Sequence, residues 1–313
     1  MAEFSRRSVI GGGIAAVVLP WPSEAGIPRV LRLEEVARGV FVAHGQHGLF
    51  TVENGGHISN LTAIIGAQSI AVIDTGGSIA VGRALLAAIQ AVSALPVRYV
   101  INTHMHPDHV FGNAAFIGPD TVFAGHAKLP RALAARGERY IAANRADLGP
   151  EAFDGTQVVP PTLLVDDRMS LDLGGRMITL VARKTSHTDN DLTVRDEQTG
   201  TLILGDLLFS GHIPAIDGSL KGWLKLIAEL RLEPAERAIP GHGPASMAWP
   251  AALDDETRYL EAIARDIRAI LKAGGTLETA MRDAGRSEAA NWALFDAFHK
   301  RNIAAAFAEL EWE

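Results

Sequence analysis

Val100-Ile101-Asn102-Thr103-His104-Met105-His106-Pro107-Asp108-His109 is the stretch on which the reading of this chain turns. An apolar run of β type leads directly into three imidazoles and a carboxylate. Alternate side chains of extended backbone share a face, so His104 and His106 can grip one ion. The turn enforced by Pro107 can aim Asp108 and His109 at a second. Histidine-rich loops are more often simply solvated, but that reading requires no particular spacing, whereas this spacing suits a metal site.

Further ligand-type residues follow at the ends of later β-type runs. His187 comes after Met177 to Ala182, within Thr185-Ser186-His187-Thr188; Asp206 ends Thr201-Leu202-Ile203-Leu204-Gly205-Asp206; His242 follows Ala238-Ile239-Pro240-Gly241. Each alone has a plain structural explanation, such as a buried imidazole satisfied by backbone or an aspartate capping a helix. Open α/β sheets bind ligands beyond the carboxyl ends of their strands, and all four segments deliver a polar group there.

Composition narrows the chemistry. The 313 residues are 48% hydrophobic and 21% charged, enough for one large domain or two small ones. The net charge of -7, with no Lys/Arg block beyond the N-terminus, argues against a nucleic-acid partner. With no cysteine, thiolate catalysis and Cys-ligated zinc are excluded, so nitrogen and oxygen must hold any metal.

At the N-terminus, Ser5-Arg6-Arg7-Ser8-Val9-Ile10 precedes a weakly apolar run to Leu19, too short to span a bilayer. The paired arginines resemble a twin-arginine export signal over residues 1–25, cleaved near Ala25, which implies a periplasmic protein without stable membrane insertion. Gly11-Gly12-Gly13-Ile14-Ala15-Ala16 matches a dinucleotide fingerprint only superficially, because too few residues precede it to supply the required strand.

Beyond the leader, β-type runs at 39–43, 60–66 and 69–74 are followed by a helical pattern over 77–93 and a strand over 98–103. The second half predicts strands at 157–165, 168–173, 177–182, 191–195, 201–204 and 237–239. A hairpin turn falls at Asp196 to Gly200, and a helix covers 218–230. From residue 251 onward Ala, Leu, Glu and Arg dominate, predicting helices near 251–273, 276–284 and 288–310. The economical division is an α/β catalytic domain over 30–250 and a C-terminal helical region over 251–313.

The ordered set H-x-H-x-D-H, single His, Gly-Asp and Gly-His resembles the metallo-β-lactamase fold superfamily over roughly residues 36–245. The resemblance implies a four-layer αβ/βα sandwich with two zinc ions at one edge. His104, His106 and His187 would bind the first ion, Asp108, His109 and His242 the second, and Asp206 would bridge them. Ile70-Ala71-Val72-Ile73-Asp74-Thr75-Gly76 resembles the early strand and turn of that fold, with Asp74 orienting a histidine ligand. A metal-bridging hydroxide, its pKa lowered to about 7, would attack an ester-, thioester- or amide-like bond of a small substrate, with Asp108 orienting it or shuttling its proton. Iron or manganese suits the same donors.

An aspartate bridge resembles glyoxalase II more than a true metallo-β-lactamase, which leaves lactam hydrolysis as a weak side activity. No basic residues of the C-terminal region match a glutathione site, which counts against a glutathione thioester. Gly205 to Pro214 with Asp217 to Trp223 is similar to the periplasmic quinoprotein relay system zinc metallohydrolases, implying a link to a quinoprotein dehydrogenase system. Candidate substrate contacts are Leu49 and Phe50, in a long loop from His44 to His57, together with His212 and Lys221; His126 and His299 read as scaffold or surface. The rival readings are an iron-dependent oxidoreductase or dioxygenase on the same fold, a non-catalytic module that keeps the metal site, and, disfavoured by the acidic balance, a nuclease.

Overall fold

A computed structural model describes residues 30–313, so the export signal and the glycine run expected before residue 26 lie outside the described residues. The first sheet contains β1 (Glu34–Ala37), β2 (Val40–Ala43), β3 (Leu61–Ile65), β4 (Ile70–Ile73), β5 (Val97–Ile101), β6 (Val122–His126) and β7 (Leu163–Val165), in that spatial order. Its first four strands form an antiparallel meander, and β4 to β7 are parallel. The second sheet runs β13-β12-β11-β10-β9-β8, from β8 (Arg168–Asp172), β9 (Met177–Ala182), β10 (Leu192–Asp196), β11 (Thr201–Phe209), β12 (Arg237–His242) and β13 (Met247–Ala248). Parallel neighbours need a crossover. Helix α1 (Ile79–Val92) joins β4 to β5, and α4 (Leu220–Leu230) joins β11 to β12.

Four layers result, because each sheet has two apolar faces to cover. Ile64, Ile73 and Ile101 of the first sheet meet Ile178, Leu180, Val194 and Ile239 of the second across the central core. Val81, Leu85 and Ile89 of α1, started by a Ser78 cap on the Val81 N–H, close the outer face of the first sheet. The outer face of the second is closed by α4, α5 (Asp254–Lys272) and α7 (Phe295–Leu310), with α6 (Leu277–Asp283) lying against α5 and α7. The chain thus forms the αβ/βα sandwich with a helical C-terminal region. Arg176 ties the sheets together, pairing with buried Asp196 at 2.8 Å and donating to the Ile65 and Arg38 carbonyls. No helix among the described residues is long and apolar enough to cross a membrane.

Three features depart from the sequence reading. Strands β1, β6 and β13 are not singled out in the sequence, and of the strand expected over 157–165 only β7, Leu163–Val165, forms. The long α3 (Leu129–Phe153) lay in a segment assigned no element: its Ala- and Arg-rich sequence carries little apolar stripe, and Gly149, at φ +76°, breaks it before Pro150. Asp206 does not end its strand. β11 continues to Phe209, with Gly205 at φ +53° shifting the register against β12.

Candidate metal centre

The loop after β5 and the short α2 (Pro107–Val110) carry four of the expected ligands, with Pro107 at the first helical position and Asp108 in the first turn. Asp74, just past β4, fixes their backbone: its two carboxylate oxygens accept the Thr103 N–H at 2.8 Å and the Thr103 hydroxyl at 2.7 Å. It also accepts the Nδ1–H of His109 at 2.8 Å. Asp74 thus meets one of the expected histidines. Asn60, just before β3, donates across to the Pro240 carbonyl of the other sheet at 3.0 Å and so holds the end of β12 that presents His242. Gly241 is required there, because a Cβ at that position would lie 2.0 Å from Asp206 Oδ1.

The structure gathers the seven residues into two groups, His104, His106, His187 and Asp206 in one and Asp108, His109 and His242 in the other. Within the first, His106 Nδ1 lies 3.0 Å from both His104 Nε2 and His187 Nε2, which are 3.3 Å apart. Asp206 Oδ2 completes it at 3.7 Å from His104 and 3.5 Å from His187. In the second group, Asp108 Oδ2 lies 3.3 Å from His109 Nε2 and 3.2 Å from His242 Nε2. Asp206 turns its other oxygen there, Oδ1 lying 3.1 Å from His109 and 3.5 Å from His242. One carboxylate therefore faces both groups.

The outer hydrogen bonds of the imidazoles fix what the inner atoms are. His187 Nδ1 donates to the Ala215 carbonyl at 2.6 Å, His242 Nδ1 to the Ile58 carbonyl at 2.9 Å, and His106 Nε2 to Asp217 at 3.1 Å. His104 Nδ1 donates to the Thr103 hydroxyl, whose own proton goes to Asp74. The facing nitrogens therefore carry lone pairs, which repel one another unless a cation sits among them. His109 Nε2 and Asp206 Oδ1 are buried without a hydrogen-bonding partner. Zinc–nitrogen bonds of about 2.0–2.1 Å in a tetrahedron place donor atoms about 3.3 Å apart, within the observed spread. The donor set fits two cations.

Without an ion the two groups hold their protons differently. Burial pushes His187 down to about 3 and, with the neighbouring imidazoles, His104 well below its ordinary value. In the second group burial is outweighed: Asp206 and Asp108 raise His242 to about 9 and His109 well above its usual range. The same pairing holds Asp108 and Asp206 low despite their burial.

The groups lie at the floor of a cavity of about 830 Å³. Leu49 and Phe50 form one wall, Arg136, Arg139 and Tyr140 of α3 a second, and Phe298 and Arg301 of α7 a third. His212 is also in the lining, its ring stacked 4.9 Å from that of His242. Its Nδ1 donates to the Ile213 carbonyl and burial pushes it down to about 4, so at neutral pH it is an uncharged acceptor through Nε2. Lys221 is not in the lining; its ammonium runs to Glu313 at 3.5 Å. The cationic side chains of the cavity come instead from the arginines of α3 and α7. His126 and His299 are buried scaffold, bonded to the Lys128 N–H and to Tyr259 with the Ala284 carbonyl. Asn60 and the α3 residues escaped the sequence reading, and Asp217, quoted there only within a resemblance, was given no role, since no local pattern marks what they contact.

An αβ/βα sandwich whose strand ends converge seven histidine and aspartate donors on two points defines a class of metal-binding proteins. Residues 54–242 match the metallo-beta-lactamase superfamily, and the chain belongs to it. It is 32% identical over 62 residues to a linear primary-alkylsulfatase of Pseudomonas sp., an alignment covering 20% of this chain and only 12% of that relative. Among solved structures, a stereoselective inverting sec-alkylsulfatase from Pseudomonas sp. is similar with a TM-score of 0.63 at 16% identity, over 80% of this chain and 45% of that one. A metallo-beta-lactamase from Pontibacter korlensis is similar with a TM-score of 0.59 at 18% identity, over 74% of this chain and 99% of that one. At these identities the structural likeness speaks to the fold alone.

Proposed function

We propose that the protein is a dinuclear zinc hydrolase acting on an ester-, thioester- or amide-like bond of a small substrate that carries negative charge. The observation that carries this is the convergence of lone-pair donors in two groups sharing Asp206, at the floor of a cavity with arginines in its walls. Bound there, two zinc ions supply Lewis acidity toward the scissile group and bring the pKa of a water to about 7. Asp206 keeps the two donor sets in register. Asp108, which also lines the cavity, would orient the attacking water or pass its proton on. His212 accepts a hydrogen bond from the substrate, the arginines attract its anionic end, and Leu49 and Phe50 cover its apolar part.

A sulfate ester of an aliphatic alcohol is the second reading of the scissile bond. The alkylsulfatases among the similar proteins favour it, as does the pairing of arginines with apolar walls. Iron in the same donors would give oxidoreductase chemistry instead, and the link to a quinoprotein dehydrogenase system stays part of the proposal, as does export to the periplasm.

The test is a metal count by emission spectroscopy on purified protein, combined with hydrolysis of matched carboxyl esters, thioesters and alkyl sulfates, each neutral or anionic as its chemistry allows. Close to two zinc ions per chain, and activity abolished by chelation and restored by zinc, are expected. Full hydrolytic activity in a metal-free preparation would reject the proposal. Iron with oxygen consumption would favour the oxidoreductase.

A further inference from the structure

Two ligands of the first group lean on one short segment, Ile213 to Asp217, between β11 and α4. The Ala215 carbonyl accepts the Nδ1–H of His187, and Asp217 accepts the Nε2–H of His106. The Asp217 N–H also donates to the His187 carbonyl at 3.0 Å. The segment belongs to no strand or helix, so its own backbone groups need partners from elsewhere.

Asn302 on α7 supplies two of them, while the Ala293 carbonyl accepts the Ile213 N–H at 3.1 Å. Its Nδ2 donates to the Pro214 carbonyl at 2.6 Å and its Oδ1 accepts the Ile216 N–H at 2.9 Å, so one fully buried side chain brackets Ala215 on both sides. The amide can sit only one way round, because the flipped form would set a donor against the Ile216 N–H. A chain of bonds holds it there. Asn302 Nδ2 donates to the Tyr259 oxygen at 2.9 Å, the Tyr259 hydroxyl to His299 Nδ1 at 3.1 Å, and His299 Nε2 to the Ala284 carbonyl at 2.9 Å. The adjacent Arg301 reaches Asp217 Oδ1 at 3.4 Å, and Arg136 of α3 pairs with the other oxygen.

We infer that Asn302 is a positioning residue for the first metal ion, clamping residues 213–217 so that His187 and His106 face that ion. The inference rests on the metal-binding reading above. The bonds of Asn302 reach the segment behind the ligands of one ion site. The outer partners of His109 and His242 in the other group are Asp74 and the Ile58 carbonyl, and Asn302 bonds to neither. Loss of a partner that orients a ligand lowers metal affinity about 10- to 100-fold.

The experiment loads the full chain with zinc and dialyses it against a graded competing chelator. Retained metal is then counted for the wild type, Asn302→Ala, Tyr259→Phe and Leu310→Ala. Leu310 is buried on the same helix but has no polar group to bond the segment, so it controls for loss of stability. The expected result is one ion lost from Asn302→Ala at about 10- to 100-fold lower chelator than from the wild type, the second ion released as in the wild type. Tyr259→Phe loses the same ion with a smaller shift, and it carries the test if Asn302→Ala does not fold. Leu310→Ala lowers the melting temperature of the metal-free protein but keeps both ions. Wild-type affinity at both sites in Asn302→Ala, or in Tyr259→Phe where that variant stands in, overturns the clamp while leaving the metal reading intact, and so does equal loss of the ion from folded Leu310→Ala. A wild-type protein that retains no metal overturns the metal reading itself.

Discussion

Asp206 has the most to lose of any side chain in the molecule, because each of its oxygens is directed at a different donor group. Asp206→Ala is expected to release at least one ion and to lower kcat by more than the roughly 100-fold that loss of an outer partner costs; metal counting alongside steady-state kinetics checks both. Asp74→Asn tests the layer behind. Asp74 accepts three hydrogen bonds on two oxygens, and an amide offers only one acceptor atom, so its NH2 must face a donor. The expected outcome is a metal affinity about 10- to 100-fold lower with the fold retained, measured by chelator competition. Glu256 makes a different prediction. It is fully buried, its Oε1 accepts the Phe209 N–H at 3.0 Å, its Oε2 has no partner, and burial pushes it well above the ordinary carboxyl range. Above the ordinary pKa of 4.5 the folded chain keeps a proton that the unfolded chain has released. Stability therefore falls as pH rises toward the folded pKa, by up to about 1.4 kcal/mol per unit. Asp191, raised by burial to about 8, contributes with the same sign. Glu256→Gln keeps the acceptor for Phe209 and removes the ionisation, so denaturant titrations are expected to favour the variant increasingly between about pH 5 and pH 8; parallel curves for the two proteins would contradict this.

Most strands and the candidate ligands were legible in the sequence for one reason: the polar side chains lie where a regular apolar run ends. β5 into His104–His109, and β12 into His242, join a pattern of period two to a turn, and both can be read locally. Helix α3 could not be read that way. Its buried positions run from Leu129 to Phe153 but include Gly137, Asn144 and Ala152, so its sequence shows little apolar stripe, yet it supplies Arg136, Arg139 and Tyr140 to the cavity. Lys221 misled for the complementary reason, since its pairing with Glu313 is a contact between residues far apart in the chain. The bonds from Asn302 to Pro214 and from His106 to Asp217 are likewise set by tertiary packing. The α3 wall yields its own prediction. Arg139 is exposed, lines the cavity and has no ion-pair partner among the described residues, so Arg139→Gln is expected to raise KM for anionic substrates about two- to fivefold while leaving neutral ones unchanged. Added salt should erase that difference, and equal KM changes for both classes would remove α3 from substrate recognition.

The whole molecule decides whether residues 251–313 are an appendage or part of the catalytic unit. Tyr259, Leu260, Ile263 and Ile267 of α5 and Ile303, Phe307 and Leu310 of α7 share one core with Leu204, Leu208 and Phe209 of β11 and Trp223 of α4. Each of those helix side chains contributes about 1.5–3 kcal/mol by leaving water. Losing that burial is large against the roughly 5–15 kcal/mol net stability of a whole domain. Removing the helices would also expose the outer face of the second sheet, whose β11 residues are buried throughout, and leave the Phe209 N–H without its Glu256 partner. A chain ending at residue 250 is therefore expected to aggregate or to bind hydrophobic dyes as a loosely packed state, not to fold into a weaker enzyme. Circular dichroism in the near ultraviolet and gel filtration of the truncated chain decide the matter. A monodisperse product with native aromatic signals would mean that the sandwich stands alone and that α5 and α7 tune it from outside.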